Sequence, residues 1–578
     1  MAKRSGAVHV ATTNRTYKGK VYTTHLRRRS YREGGKVKHE TLGNLSHLPE
    51  EVIALIRRSL SGERFVPSSE AFTIGRSMPW GHVRAVLGTL RKLGLESLIA
   101  SKRSRERDLV VALIAERILH PSSKLGTTRL WGLTALGDEL GVGGAARVNE
   151  VYAALDWLLR RQGRIEKKLA ARHLPEGSLA FCDTSNSYYE GSTCPLARLG
   201  HGKDGRRGRP VIGYGVLADL QGRPVAMTVY PGNAGDPDAV PGQVKTLRDR
   251  FGLERVVLVG DRGLLTQAKI ETLKTHPGIG WISALRSPAI RKLMDDGKLQ
   301  RTLFDEADLC EIASPEFPGE RLVACFNPAL CDERGRKRED LLRATEAALA
   351  KIRAEAGRRT KTPLTDERIS FKVGQALGRY KMAKHFTWAA AGGKLAWARD
   401  EASIRREREL DGIYVVRTSE PQDRLQAPEA VRAYKNLSQV ERVFRCMTGA
   451  DLRVRPIYLA TEPHVRAHFF LCMLAYYIEW HMRQALAPLL FEEEGLQESR
   501  WTRDPVAPAL PSRATARKKI TREAEGGHEV HSFDTLLQAL STQCKNTCAV
   551  KSSGAPAWFD QITEASPLQA RAYQLLGL

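Results

Sequence analysis

The sequence predicts an α/β core split by a long α+β insertion and preceded by a mostly helical region. Three observations predict it. Apolar residues recur at helical spacing from Pro49 to about Arg172, short β-type runs alternate with helices from about 176 to 286, and that rhythm breaks over 287–409 before a strand and a helix resume. At 578 residues the chain exceeds a usual single core of roughly 100–200 residues, so several domains are expected.

The balance of 91 Lys+Arg against 65 Asp+Glu gives a net charge of +26 and makes a polyanion the first partner to consider. Nucleic acid is favoured over membrane. The longest greasy run, "HVRAHFFLCMLAYYIEWHM", carries Arg466 and Glu479 and reads as a buried helix, and no apolar signal core opens the chain, so a cytosolic protein is expected. Nine scattered cysteines read as reduced thiols. "CKNTC" (Cys544, Cys548) has no second His/Cys pair nearby at metal-ligand spacing, which disfavours zinc.

Residues 1–48 form a basic segment in which "KVYTTHLRRRSYREGGKVKHETLG" reads as a hairpin about Gly34-Gly35, with Arg27, Arg28 and Arg29 on it as candidate DNA contacts. A solvated basic tail fits the same composition. Residues 49–175 read as a helical DNA-binding domain, in which a helix-turn-helix and a plain bundle would look alike. Residues 176–286 then read as three strands ("SLAFCD", and a hairpin about Gln221-Gly222), a helix over Val240–Phe251, the strand "RVVLV", a helix from Thr266 and the strand "GWISAL". The insertion, 287–409, holds "RLVACFN", a long charged helix and the hairpin "FTWAAAGGKLAWARDE". The core resumes over 410–490 with "GIYVVRT" and an amphipathic helix from near Pro428. Residues 491–578 read as a basic, Pro-rich linker and a small tail.

Two aspartates end β-type runs, Asp183 after "LAFC" and Asp261 after "RVVLVG". Strand termini of an α/β sheet are where ligands gather, although an Asp in "GDRG" is also an ordinary turn residue. On the helix after Pro428, Val431, Leu437, Val440, Phe444 and Met447 form the apolar face, and beside it runs the row Tyr434, Ser438, Glu441, Arg445, Thr448. A plain Glu441–Arg445 pair would contribute only about 0.3–0.5 kcal/mol. If Asp183, Asp261 and Glu441 meet, their like charges call for a cation, and hard carboxylate oxygens suit Mg2+ or Mn2+.

These residues carry a resemblance. "YKNLSQVERVFRCMT", with "FCDTSNSYYEG" and "VGDRGLL" around the earlier acids, resembles the DDE transposases of bacterial insertion sequences, in the group with a Tyr-x-x-Arg-x-x-x-Glu-x(6)-Lys signature. The likeness spans about 180–480. Tyr434 and Glu441 are in register, whereas Leu437 and Thr448 stand where the signature has Arg and Lys; Arg442, Arg445, Arg453 and Arg455 are the nearby cations that could replace them.

The resemblance implies an RNase H-like core with its insertion between the second and third acids. It implies Asp183, Asp261 and Glu441 as catalytic ligands of two Mg2+ or Mn2+ ions. The expected function is a cytoplasmic transposase that cleaves element ends and joins the 3′-OH to target DNA, by a cut-and-paste route with a hairpin intermediate and as a homodimer on its terminal inverted repeats. Tyr434, Arg445 and Arg262 are the expected DNA contacts near the acids. The Arg/Gly-rich loop "RLGHGKDGRRGRP" adds Lys203, Arg206, Arg207 and Arg209. Trp388 and Trp397 are candidates to hold a flipped base, with hairpin packing the favoured role for both. The alternatives are a metal-dependent nuclease without strand transfer and a non-catalytic, element-derived DNA-binding protein.

Overall fold

The computed structural model describes residues 6–63, 65, 72–143, 146–200, 202–203, 208–234, 246–305, 307–359, 361–495, 503–508, 510–524, 526–550 and 557–578. The chain forms two compact units, one of residues 1–77 with 545–563, the other of 78–544 with 564–578. Arg206 and Arg207, and most of the helix expected over Val240–Phe251, lie outside the described residues; of that helix, a short turn at Thr246–Arg250 is described.

In the first unit, strands β1 (Ala7–Tyr17), β2 (Lys20–Glu33) and β3 (Lys36–Asn44) form an antiparallel sheet, and Gly34 and Gly35 both take positive φ in the β2–β3 turn. The helix Glu50–Leu60 follows. A second sheet joins β4 (Phe72–Pro79) to β16 (Cys544–Val550) and β17 (Ala557–Ile562). Two expectations change here. Residues 49–175 are not all helical, because β4 interrupts them, and part of the expected C-terminal tail is a β-hairpin completing a sheet with β4.

The second unit is built on a nine-stranded sheet. Its centre runs β8 (Pro224–Pro231), β7 (Pro210–Ala218), β5 (Leu179–Tyr188), β9 (Val256–Val259), β10 (Ile279–Ala284). β8, β7 and β5 pair antiparallel, whereas β5, β9 and β10 run parallel. The two-residue strand β6 (Arg198–Leu199) also borders β7. β9 and β10 are buried along their whole length, which explains the unbroken apolar sequence of β9 and leaves Ser283 as the one polar side chain in β10.

Beyond β10 the sheet continues through β15 (Ile413–Thr418), β12 (Arg321–Phe326) and β11 (Leu309–Ile312), each antiparallel to its neighbour. The insertion therefore has two parts. Its first part widens the central sheet. Its second comprises the helices Pro328–Arg358, Asp366–Tyr380 and Glu401–Arg408 with the hairpin β13 (Phe386–Ala391) and β14 (Lys394–Arg399), around a core of its own that includes Leu349, Ile369 and Val373.

The helix Glu462–Leu486 is buried on nearly every face, and this explains its greasy sequence. Helices between Gly81 and His173 pack around it and share one apolar core with the sheet. They are thus part of the main body, not a separate helical domain ending at 175. Residues 533–540 and 572–576 also enter that core, through Phe533, Leu536, Leu540 and Tyr573, so the C-terminal stretch is more than a linker and tail. Among the described residues no helix is long and apolar enough to cross a membrane.

Candidate active site

Asp183 lies within β5, and Asp261 directly follows β9 and Gly260. The parallel register pairs Leu179 with Val257 and Phe181 with Val259, so each aspartate stands two residues past the last pair. Neighbouring strands lie about 4.8 Å apart, so the pairing itself brings the two carboxylates to one edge. Asp261 Oδ1 accepts the N–H groups of Gly263 (3.0 Å) and Leu264 (2.6 Å), which fixes the side chain while neither bond uses Oδ2. The turn role and the site role are therefore compatible in one residue.

Glu441 reaches the same edge from a helix. The expected single helix is two, Ala427–Asn436 and Ser438–Thr448, joined at Leu437. There the Leu437 and Val440 N–H groups bond three residues back, to Tyr434 and Leu437. Asn436, a weak helix former, is buried just before the joint. Val431, Leu437, Val440, Phe444 and Met447 are all buried, and this anchors the face that leaves Glu441 exposed in the first turn of the second helix.

The electrostatics record the convergence. Burial pushes the Asp183 carboxyl up to about 7; its Thr184 N–H and the Lys203 ammonium act against that shift, and Asp261 and Glu441 add to it. Tyr434 is likewise pushed up to about 12, first by burial, with Asp261, Glu441 and Asp183 raising it further and Arg262 opposing. One phenol thus feels all three acids. Its OH stays protonated at neutral pH and is available as a donor.

The cations expected at the site divide. Lys203 Nζ donates to the Thr184 carbonyl at 2.7 Å, and its backbone N–H bonds Asn186 Oδ1 at 2.9 Å, so this residue stands beside the first acid. Arg262 and Arg445 are exposed. Arg209 pairs with Glu190 at 2.6 Å. Arg442 turns away to an ion pair with Glu492 and cannot replace a signature cation. Arg453 is exposed, and its carbonyl accepts from Arg117 at 3.4 Å. Arg455 donates from Nε to the Thr448 carbonyl at 3.3 Å, with its guanidinium 5.4 Å from the Tyr188 ring at the end of β5. Its side chain thereby lies against the backbone of Thr448, the residue that stands where the signature has lysine. The Thr448 hydroxyl bonds back to Phe444 O and is spent within the helix.

On the first unit, Arg27 is exposed, Arg29 pairs with Glu40 at 3.2 Å, and Arg28 Nε is buried. Trp388 and Trp397 face each other across β13–β14; Trp397 is half-buried with Arg353 4.8 Å from its ring, and Trp388 is 38% exposed. Packing accounts for Trp397.

Among the described residues, the group whose ligand atoms all lie within 4.8 Å of one another is a different one, Cys446, Asp451 and Glu479. Arg483 already neutralises it, bonding Glu479 at 2.6 Å and Asp451 at 3.2 Å. Burial holds the Cys446 thiol up at about 12, which disfavours the thiolate a metal would need. Asp183, Asp261 and Glu441 do not all come within that distance of one another. Their all-oxygen donor set fits Mg2+ or Mn2+.

Sequence reasoning missed Arg286, whose Nε donates to the Arg262 carbonyl at 3.2 Å and extends the basic surface from Asp261. No local signal marked it, since it follows an apolar strand like any polar loop residue.

Comparison with known proteins places this geometry. Residues 183–478 match the family described as Transposase DDE domain, and residues 10–69 match the IS1634 family transposase N-terminal domain. The first match begins on Asp183 and includes Asp261 and Glu441. No curated protein sequence matches the chain. Among solved structures, a piggyBac transposase synaptic complex with hairpin DNA aligns over 80% of this chain and 76% of that one, at 10% identity and a TM-score of 0.34, too distant for residue correspondences.

Proposed function

Because the chain belongs to the DDE transposases of insertion sequences, we propose that Asp183, Asp261 and Glu441 hold two Mg2+ or Mn2+ ions and that the protein cleaves element ends and joins the 3′-OH to target DNA. The observation that carries this reading is the meeting of the three acids at one edge of the sheet, felt jointly by Asp183 and Tyr434. When bound, such ions activate the attacking water or hydroxyl and neutralise charge on the phosphate.

The sheet supports an RNase H-like core. Its central order, β8-β7-β5-β9-β10 with the first three antiparallel and the last three parallel, follows chain order three-two-one-four-five, and β5 and β9 deliver the first two acids. Around the acids, the Tyr434 hydroxyl is a neutral donor toward a phosphate oxygen, and Lys203, beside Thr184, and Arg455, beside Tyr188, supply positive charge along the strand that carries Asp183. Arg262 and Arg445, both exposed, extend that charge toward the DNA backbone. The basic sheet of the first unit, with Arg27 exposed on it, is a second DNA-contacting surface in this reading. The signature carried by Tyr434 and Glu441 favours the cut-and-paste route with a hairpin intermediate, and pairing two ends favours a homodimer on DNA.

The test is a gel assay with the element's own end DNA and Mg2+ or Mn2+. Wild type is expected to cleave, whereas Asp261→Ala and Glu441→Ala bind the same DNA without cutting it. Cleavage by either variant would overturn the reading. Cleavage by wild type without joining to a second duplex would favour the nuclease alternative.

A further inference from the structure

A basic groove in the insertion is unused by the catalytic reading. A cavity of about 920 Å³ opens between the helices Ser287–Asp295, Pro328–Arg358 and Glu401–Arg408. Arg291, Arg334, Lys337, Arg338, Lys384 and Arg406 line it, against the acids Asp400, Glu407 and Asp411. The acids are already engaged. Asp411 takes both arms of the buried Arg338, and Glu407 pairs with Lys384 and with His385 Nε2. Asp400 caps its helix by accepting the Ser403 N–H at 2.9 Å.

Positive charge is left over at the rim. Arg334, Lys337 and Arg406 are all exposed. Arg334 reaches a carbonyl, that of Leu410, at 3.3 Å, and Arg406 has Asp295 at 3.6 Å in a pair open to solvent on both sides, which contributes little.

Gly335 stands beside the groove and is one of several helical glycines here with open space at the Cβ position. It sits inside the helix Pro328–Arg358 between Arg334 and Arg336, beside a neighbouring cavity that shares Asp411, and a Cβ there would meet nothing within 4 Å. A mid-helix glycine costs about 1 kcal/mol relative to alanine, and no packing neighbour requires this one. Bare backbone among cations suits the close approach of a phosphate chain. The groove is also continuous with the catalytic edge, since Arg286 bonds the Arg262 carbonyl and Ser287, Pro288 and Arg291 follow it into the groove wall.

We propose that this groove holds the phosphodiester backbone of duplex DNA leading away from the scissile phosphate, without reading its sequence. The transposase reading identifies the DNA; the groove's affinity for a duplex is a separate property. Two sources share this chemistry, the element end and the target.

The test uses the full chain carrying Arg334→Ala, Lys337→Ala and Arg406→Ala together, all at exposed positions, with a thermal melt to verify the fold. Binding is measured against salt for a random-sequence duplex and for the element-end duplex. The slope of log affinity against log salt is expected to become shallower by about 0.9 for each phosphate that is no longer neutralised, so by about 2–3 in total. A shallower slope with the random duplex alone assigns the groove to target DNA, and one with the end duplex assigns it to the element. Unchanged slopes and affinities for both overturn the proposal. Gly335→Ala is expected to raise the melting temperature and still weaken the same duplex; unchanged binding would overturn the close approach at that residue. Cleavage by the unmodified chain is scored separately, so a failed catalytic reading and a failed groove give different results.

Discussion

Asp183 and Asp261 occupy equivalent positions on adjacent parallel strands, each two residues beyond the Phe181–Val259 pair. Backbone pairing of a buried sheet thus brings them side by side, and the turn after β9 fixes the Asp261 carboxyl through the Gly263 and Leu264 N–H groups. Glu441 is the member supplied from outside the sheet, in the first turn of the helix that begins at the Leu437 joint.

The Asp183 carboxyl, raised to about 7 chiefly by burial, predicts a proton linked to metal binding. Between about pH 4 and 7 the folded chain retains a proton that the unfolded chain releases, so metal-free stability falls as pH rises through that window. A divalent ion must displace the same proton. Titration calorimetry in buffers of different ionisation enthalpy is expected to show proton release on Mg2+ binding at pH 6 and none at pH 8.5. Affinity should climb by up to tenfold per pH unit below 7 and then level. Asp183→Asn should abolish the release.

A second titration lies behind the site. Lys124 is buried, donates to His468 Nδ1 at 2.9 Å, and is pushed down to about 7 by burial and then by Arg117; the other group facing it is the Cys472 thiol. His468 is held neutral, with Nε2 3.0 Å from the Val454 carbonyl, and Arg117 bonds the Leu452 and Arg453 carbonyls. This cluster secures the loop between Glu441 and Arg455. Above pH 7 the unfolded lysine binds a proton that the folded one has released, so stability attributable to Lys124 rises from pH 7 to about 10. Relative to Lys124→Met, wild type should gain up to about 1.4 kcal/mol per pH unit across that range in urea denaturation. A pH-independent difference would refute the assignment.

Arg455 is expected to do the work of the missing signature lysine. Arg455→Ala should slow end cleavage about 10–100-fold, as removal of one charge-assisted phosphate bond implies, and lower the salt slope by about one. Introducing Thr448→Lys into that variant should restore most of the rate, as measured by single-turnover cleavage. No rescue would mean that the Arg455 guanidinium serves the loop and not the DNA.

Much of the core could be read in the sequence because it is local. The buried runs of β9 and β10, the Gly34-Gly35 and Gln221-Gly222 turns, and the apolar face from Val431 to Met447 all declare themselves within a few residues. What escaped depends on distant partners. Nothing in "RLVACF" says that β12 will pair with β15, nor in Ala557–Ile562 that its hairpin will complete a sheet with β4. Helical spacing from 81 to 173 is the same for an independent bundle and for helices packed around Glu462–Leu486. The engagement of Arg442 with Glu492 was hidden too, since the helix face alone cannot show which arginine turns inward.

Iron-directed cleavage of the polypeptide tests most directly whether the acids share divalent ions. Fe2+ with ascorbate and peroxide is expected to cut the wild-type chain near residues 183, 261 and 441 together, with Mg2+ or Mn2+ suppressing all three cuts and Asp261→Ala losing them. Cuts confined to one segment, or unchanged in the variant, would contradict a common metal site.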